Sequence, residues 1–188
     1  EAVQARLAHP DVAAVSFVGS TPIARRIHET GTANGKRVQA LGGAKNHMVV
    51  LPDADLDAAA DAAISAGYGA AGERCMAISV IVAVGGVADP LVEAIAERIP
   101  SVKIGPGGEP DSMMGPLVTG EHRDRVRSYI EGADAEGATV VADGTDGVPD
   151  EGFFLGCALL DHVKPGMRAY EDEIFGPVLQ IVRAASFE

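Results

Sequence analysis

The sequence predicts an α/β fold in which a largely parallel sheet is flanked by helices. Short apolar runs alternate with stretches of helical period along the chain. A run such as Val12 to Val18 is continuous rather than alternating, which suits a parallel strand covered on both faces. With 188 residues, 47% of them hydrophobic, the chain can bury a sizeable core.

Glu1 to His9 reads like a helix already in progress, so the chain is expected to be a piece of a longer protein. Val12 to Val18 is the first strand and stops at Gly19-Ser20-Thr21-Pro22. Ser20 or Thr21 can cap the helix that continues from Ile23 to Thr30, and Pro22 suits its first turn. Free N–H groups and a positive dipole end make that turn a ready site for phosphate or pyrophosphate, with Arg25 and Arg26 nearby, although spacing alone fits an ordinary βα connection as well. Val38 to Leu41, ending at Gly42-Gly43, and Met48 to Leu51 read as strands. Asp53-Ala54-Asp55 caps an Ala-rich helix reaching about Tyr68, whose apolar positions recur at helical spacing. Gly67 to Gly72 matches GxGxxG to the letter but follows a helix rather than a strand. It is expected to serve close packing and access, not a dinucleotide.

Ile78 to Val84 is a strand and Pro90 to Ile99 a helix. Pro100 to Pro116 is loop-rich, with a short extended piece at Val102 to Ile104. Glu121 to Glu136 is an amphipathic helix, Ala138 to Ala142 a strand, and Asp143 to Gly152 a surface loop. Phe153 to Leu160 is extended and holds Cys157 buried, and Val178 to Val182 is the last strand.

The net charge of −12 argues against nucleic acid and anionic membrane surfaces as partners. No apolar run reaches the ~18 residues that span a bilayer. The charge is uneven: residues 1–40 hold five basic and three acidic side chains, while the remainder is strongly acidic. Gly42-Gly43, where the balance changes, is the best boundary candidate. Two cysteines 82 positions apart make no disulfide scaffold, and neither they nor the five scattered histidines have metal-ligand spacing. No metal site is expected, and a reducing cytoplasm is the expected location.

The sharpest chemical signal is Cys75, delivered by the small-residue segment Gly69-Ala70-Ala71-Gly72 and followed by an apolar strand. Small neighbours leave room for a substrate, and Arg74 favours the thiolate, the reactive form. A buried, inert cysteine at a helix end is the alternative that local sequence leaves open.

Six motifs in order decide between them. They are Phe17-Val18-Gly19-Ser20-Thr21, Leu41-Gly42-Gly43, Asp53-Ala54-Asp55-Leu56-Asp57, Gly72-Glu73-Arg74-Cys75, Met114-Gly115-Pro116-Leu117 and Glu173-Ile174-Phe175-Gly176-Pro177-Val178. Together they resemble the aldehyde dehydrogenase superfamily over nearly the whole chain. The resemblance implies the catalytic domain of that fold with a remnant of its Rossmann-like cofactor domain. Residues 1–43 would be the C-terminal strip of the NAD-binding domain, 44–183 the catalytic domain, and 184–188 the start of the return. It implies Cys75 as the nucleophile, its backbone N–H helping to hold the oxyanion. It places Gly19 and Ser20 at the cofactor pyrophosphate, Glu173 at the nicotinamide ribose and Phe175 near the nicotinamide. It implies that the missing upstream half carries further site residues, that the full-length protein is a homo-oligomer, dimer or tetramer, and that the fragment alone is inactive.

One departure bears on mechanism. Hydrolytic members carry Glu immediately before Leu-Gly-Gly, and here that position is Ala40, which cannot accept a proton. The thioester on Cys75 then needs a different acceptor, and a thiol, with its pKa of about 8.5, suits. With Gly43-Ala44-Lys45-Asn46-His47 and Gly72 to Ala77, this resembles the CoA-acylating methylmalonate-semialdehyde dehydrogenase branch. The implied cofactors are NAD and coenzyme A as co-substrate, and the implied substrate is a small semialdehyde bearing a carboxylate. Arg74 is then a candidate for that carboxylate through a bidentate guanidinium.

Overall fold

In the computed structural model, which describes residues 1–188, the chain divides into two units, Glu1–Ala44 and Lys45–Glu188. In the first, helix α1 (Ala2–Ala8) precedes strand β1 (Ala14–Val18), helix α2 (Thr21–Ala33) and strand β2 (Arg37–Leu41). The two strands pair in parallel, Val15 opposite Val38 and Phe17 opposite Ala40. Leu7, Ala24 and Ile27 are buried, and the Lys36 ammonium is buried too, donating to the carbonyls of His9 and Val12 at 2.6 and 2.7 Å. The continuous apolar run of β1 predicts burial on both faces, but its residues alternate between exposed and half-buried. A two-stranded sheet with its crossover helix on one side leaves Val18 54% and Leu41 50% exposed.

The second unit is a five-stranded sheet of order β3-β4-β7-β6-β5, made of β3 (Asn46–Val50), β4 (Ile78–Val84), β5 (Thr139–Asp143), β6 (Ala158–Asp161) and β7 (Val178–Ala184). All neighbours are parallel except β5 with β6. Helices α3 (Leu56–Tyr68), α4 (Ala88–Arg98) and α5 (Gly120–Glu136) accompany the sheet. The Asp55 carboxylate caps α3 by accepting from the Ala58 N–H, and Thr119 caps α5 by accepting from the His122 N–H. The small side chains of Ala59, Ala60, Ala63 and Gly67 let α3 lie close to its neighbours, and all four are buried. Leu91 and Ile95 of α4 and Ile81, Leu159, Leu179 and Ile181 of the sheet complete the core, each wholly buried. A one-turn helix, α6 (Arg168–Glu171), has no counterpart in the sequence reading, since four residues carry no period. No helix is long and apolar enough to cross a membrane.

Asp161, at the end of β6, is 4% exposed and held by a two-bond fork from Arg183 of β7. Burial alone would raise its carboxyl. The Arg183 fork and the His162 N–H outweigh burial and hold it below the ordinary carboxylate value.

Candidate active site

Three neighbouring parallel strands start at one end of the sheet, and the candidate residues of the second unit lie just before them. Lys45 and Asn46 stand at the entry to β3, Cys75 precedes β4, and Glu173 to Pro177 precede β7. The site is therefore at the N-terminal ends of these strands, not the carboxyl ends where ligands of open α/β sheets usually sit.

The cysteine segment leaves α3 through an unusual backbone. Ala70 (φ 53°, ψ 39°), Ala71 (φ 54°, ψ 28°) and Gly72 (φ 70°) are successive left-handed residues. For the two alanines this conformation costs about 1 kcal/mol each. A tight turn follows, closed by the Ala77 N–H on the Arg74 carbonyl at 3.0 Å. Cys75 lies within it, exposed. The Asn46 amide nitrogen pins the turn by donating to the carbonyls of Cys75 (2.9 Å) and Ala77 (2.8 Å). The Cys75 N–H has no acceptor within the chain, so it is open to an oxyanion developing beside the thiol.

The segment carrying Glu173 and Phe175 is held from several sides. The His122 Nε2 lies 2.7 Å from the Phe175 carbonyl and 3.3 Å from a Glu73 carboxylate oxygen, so one ring joins this segment to the cysteine segment. Arg125 donates to the Ile174 carbonyl at 2.6 Å, and the Tyr129 hydroxyl lies 2.9 Å from an Asp172 carboxylate oxygen. Phe175 is itself left-handed (φ 57°), and both it and Glu173 are half-buried. The Lys45 ammonium donates to the Ala169 and Asp172 carbonyls. Burial lowers it from the ordinary lysine value to about 8, against the opposing pull of Asp172, Glu173 and Glu171.

In the first unit Ser20 stands at the N-cap of α2, but its exposed hydroxyl makes no capping bond. The neighbouring Thr21 hydroxyl accepts from the Gly43 N–H at 3.0 Å. The capping expected of Ser20 or Thr21 is thus not made, and the first-turn N–H groups remain without a side-chain partner. Gly19 lies between β1 and α2, its N–H on the Leu41 carbonyl.

Arg74 is exposed, and its Nη2 donates to the carbonyls of Ser65 and Ala66 at 3.0 Å each. The guanidinium thereby sits at the C-terminal dipole of α3, a favourable place for a cation. Both bidentate faces of a guanidinium use Nη2, so the two-bond carboxylate grip expected from the sequence is not open here, and single bonds from Nη1 or Nε are what remain. Cys157 is buried, and burial pushes its thiol up to about 12. No group of three or more His, Cys, Asp or Glu side chains is gathered as metal ligands would be.

The model of the aldehyde dehydrogenase family matches residues 1–188. The chain belongs to this family. Malonate-semialdehyde dehydrogenase of Pseudomonas aeruginosa is 53% identical over 192 residues, and that of Halalkalibacterium halodurans 48% identical over 189. Each match covers 100% of this chain and 39% of the relative, so the chain spans about two fifths of their length. Among solved structures, methylmalonate-semialdehyde dehydrogenase of Oceanimonas doudoroffii superposes with a TM-score of 0.96 at 51% identity, covering 99% of this chain and 39% of that one. Betaine aldehyde dehydrogenase of Staphylococcus aureus, solved in complex with NAD+, superposes at 0.90 with 30% identity, covering 99% and 37%. The α/β aldehyde dehydrogenase fold expected from the sequence is the fold observed.

Within this family fold, Asn46, Lys45 and His122 hold the two segments that matter, and sequence reasoning did not single them out. A lone Asn or Lys at a strand entry has no local signature, because its partners lie 29 and 124 or more positions away. The run Gly43 to His47, part of the family resemblance, marks their place but not these contacts.

Proposed function

We propose that the protein containing this chain oxidises methylmalonate or malonate semialdehyde with NAD through a thioester on Cys75, and passes the acyl group to coenzyme A. The observation that carries this reading is the Cys75 turn, an exposed thiol on a pinned backbone beside an unused N–H. Relatives about half identical are named for malonate semialdehyde, and a Sinorhizobium meliloti protein 53% identical was solved with NAD. In this reading residues 1–43 belong to the NAD-binding domain and 44–183 form the catalytic domain.

The residues present suit NAD. The uncapped first turn of α2, with Gly19 and Ser20, offers N–H groups to a pyrophosphate. Glu173 would accept from the nicotinamide ribose and Phe175 would pack near the ring. Bound NAD supplies the hydride acceptor.

Cys75 as thiolate adds to the aldehyde carbon, and its N–H holds the oxyanion that forms. Loss of hydride from the adduct leaves a thioester on Sγ. The β-carboxylate departs as carbon dioxide, which becomes bicarbonate on hydration; the electron pair of the broken C–C bond passes to the α-carbon as a thioester enolate that takes a proton from water. The CoA thiolate then displaces the Cys75 thiolate, giving propionyl-CoA or acetyl-CoA. Ala40, with no proton-accepting group, leaves water unactivated at the position where hydrolytic members have their base. Arg74 attracts the substrate carboxylate through Nη1 or Nε and its charge.

With the full-length enzyme and semialdehyde, omission of CoA is expected to drop NADH formation to near background. Equal rates without CoA would establish a hydrolytic enzyme instead. The isolated 188-residue chain is expected to give no turnover, while iodoacetamide alkylates its Cys75 faster than its Cys157 by orders of magnitude. Arg74→Ala in the full-length enzyme is expected to lower kcat/KM for malonate semialdehyde about tenfold more than for propanal, the worth of one charge-assisted bond. Equal losses on the two aldehydes would remove carboxylate recognition from Arg74.

A further inference from the structure

We propose that Lys45 and Asn46, adjacent residues at the entry to β3, are positioning residues that set the cofactor-side segment and the nucleophile segment relative to one another. This assignment rests on the reading of Cys75 as nucleophile and Glu173 as a cofactor contact.

From β3, the edge strand of the sheet, the two side chains reach two different segments on the same side of it. Asn46 reaches toward β4, where its amide nitrogen donates to the carbonyls on either side of Met76. Both amide hydrogens are thus committed to the turn that presents the thiol. Lys45 reaches toward the segment before β7, where its ammonium takes the carbonyls of Ala169 and Asp172, the second immediately before Glu173. Asp172, Glu173 and Glu171 all lie close enough to act on its charge. His47 adds a third tie, its ring meeting that of Tyr170 edge-on at 6.2 Å and its Nδ1 2.8 Å from the Lys45 carbonyl.

Both side chains hold backbone carbonyls rather than packing into the core. Apolar residues at these positions would leave four carbonyls without these donors. An ammonium partly withdrawn from water is costly unless its protons are used, and this one sits among three acids and two carbonyls of a single segment. The chemistry fits a charged clamp on the segment that offers Glu173 and a neutral one on the segment that offers Cys75. Because the two residues are consecutive in the chain, a shift of either segment is passed to the other through one peptide bond.

The test uses the full-length enzyme and reads the two segments separately. Lys45→Met is expected to raise the KM for NAD roughly tenfold with kcat changed less than about threefold, and Lys45→Arg, which keeps charge and donors, to recover most of that loss. Asn46→Leu is expected to slow alkylation of Cys75 by iodoacetamide about tenfold in the absence of NAD, with the KM for NAD unchanged. Opposite signatures from adjacent residues are not what general loss of stability produces. The proposal is overturned if both variants lower every parameter by a common factor, or if neither changes its own readout. If either variant does not fold, Lys45→Gln and Asn46→Ser carry the same readouts. Cys75→Ala separates the two levels. Retained NADH formation in that variant sinks the underlying reading whatever Lys45 does. An inactive Cys75→Ala beside an unchanged Lys45→Met and Asn46→Leu rejects the positioning role alone.

Discussion

Replacing Gly72 with alanine is expected to slow the chemistry of Cys75 by about 100-fold, the loss that follows a misplacement of about 1 Å in an active site. Gly72 has φ 70°, and a Cβ built on it would stand 2.2 Å from the Gly176 carbonyl oxygen and 2.5 Å from its carbon. Those are backbone atoms, so no side-chain rotation relieves the overlap. Either the cysteine segment or the segment carrying Phe175 has to retreat by about the deficit to an ordinary contact, which is more than 1 Å. The left-handed φ adds about 1 kcal/mol of strain on top. Alkylation of Cys75 by iodoacetamide reads the displacement in the chain alone, and NADH formation reads it in the full-length enzyme. A variant alkylated as fast as the parent would show that the contact with Gly176 does not place the thiol. Ala70 and Ala71 already tolerate left-handed backbone, so the decisive property of Gly72 is the missing Cβ and not only its φ.

That contact also shows how much of the site was legible from sequence. Strands such as Ile78–Val84 and helices such as Leu56–Tyr68 carry their period locally, and they are found within a residue or two of where the pattern puts them. The exposed thiol of Cys75 and the buried one of Cys157 were expected on composition and motif, and both are placed so. What could not be read is which ends of the strands converge. The order β3-β4-β7 brings the entries at residues 45, 75 and 173 together, and nothing local to any of them records it. Arg74 illustrates the cost. Its position beside the cysteine suggested a free bidentate fork, whereas the end of α3 supplies two carbonyls to its Nη2. A cation within reach of a helix C-terminus finds those oxygens before any ligand arrives. The exposure of β1 has a related cause. A continuous apolar run reports a strand's environment in a whole sheet, and only one neighbour, β2, is present to cover it.

Asp161→Asn is expected to destabilise the second unit by about 3 kcal/mol, the lower end of the range for removing one partner of a buried ion pair. The pair spans the centre of the sheet, from the end of β6 to β7. Arg183 donates from Nε at 3.0 Å and from Nη2 at 2.6 Å, and the His162 N–H adds a third bond at 2.6 Å. Asparagine keeps the volume but turns an NH2 group toward a guanidinium, so one of the two fork bonds becomes a clash of donors. Arg183 retains Asp89 through Nη1 at 2.7 Å, but that carboxylate is exposed and supplies little. For a chain of this size the loss corresponds to a fall of about 6–12 °C in Tm. The pH dependence distinguishes this cause from mere repacking. The folded Asp161 carboxyl is held below its ordinary value, so its ionisation stabilises the fold above about pH 4. That contribution is lost as the pH falls through the folded-state value, where the parent side chain becomes as neutral as asparagine. The melting curves of parent and variant should therefore lie furthest apart near neutrality and draw together toward pH 3. A gap that stays constant from pH 7 down to pH 3 would falsify the assignment of the effect to the Arg183 pair.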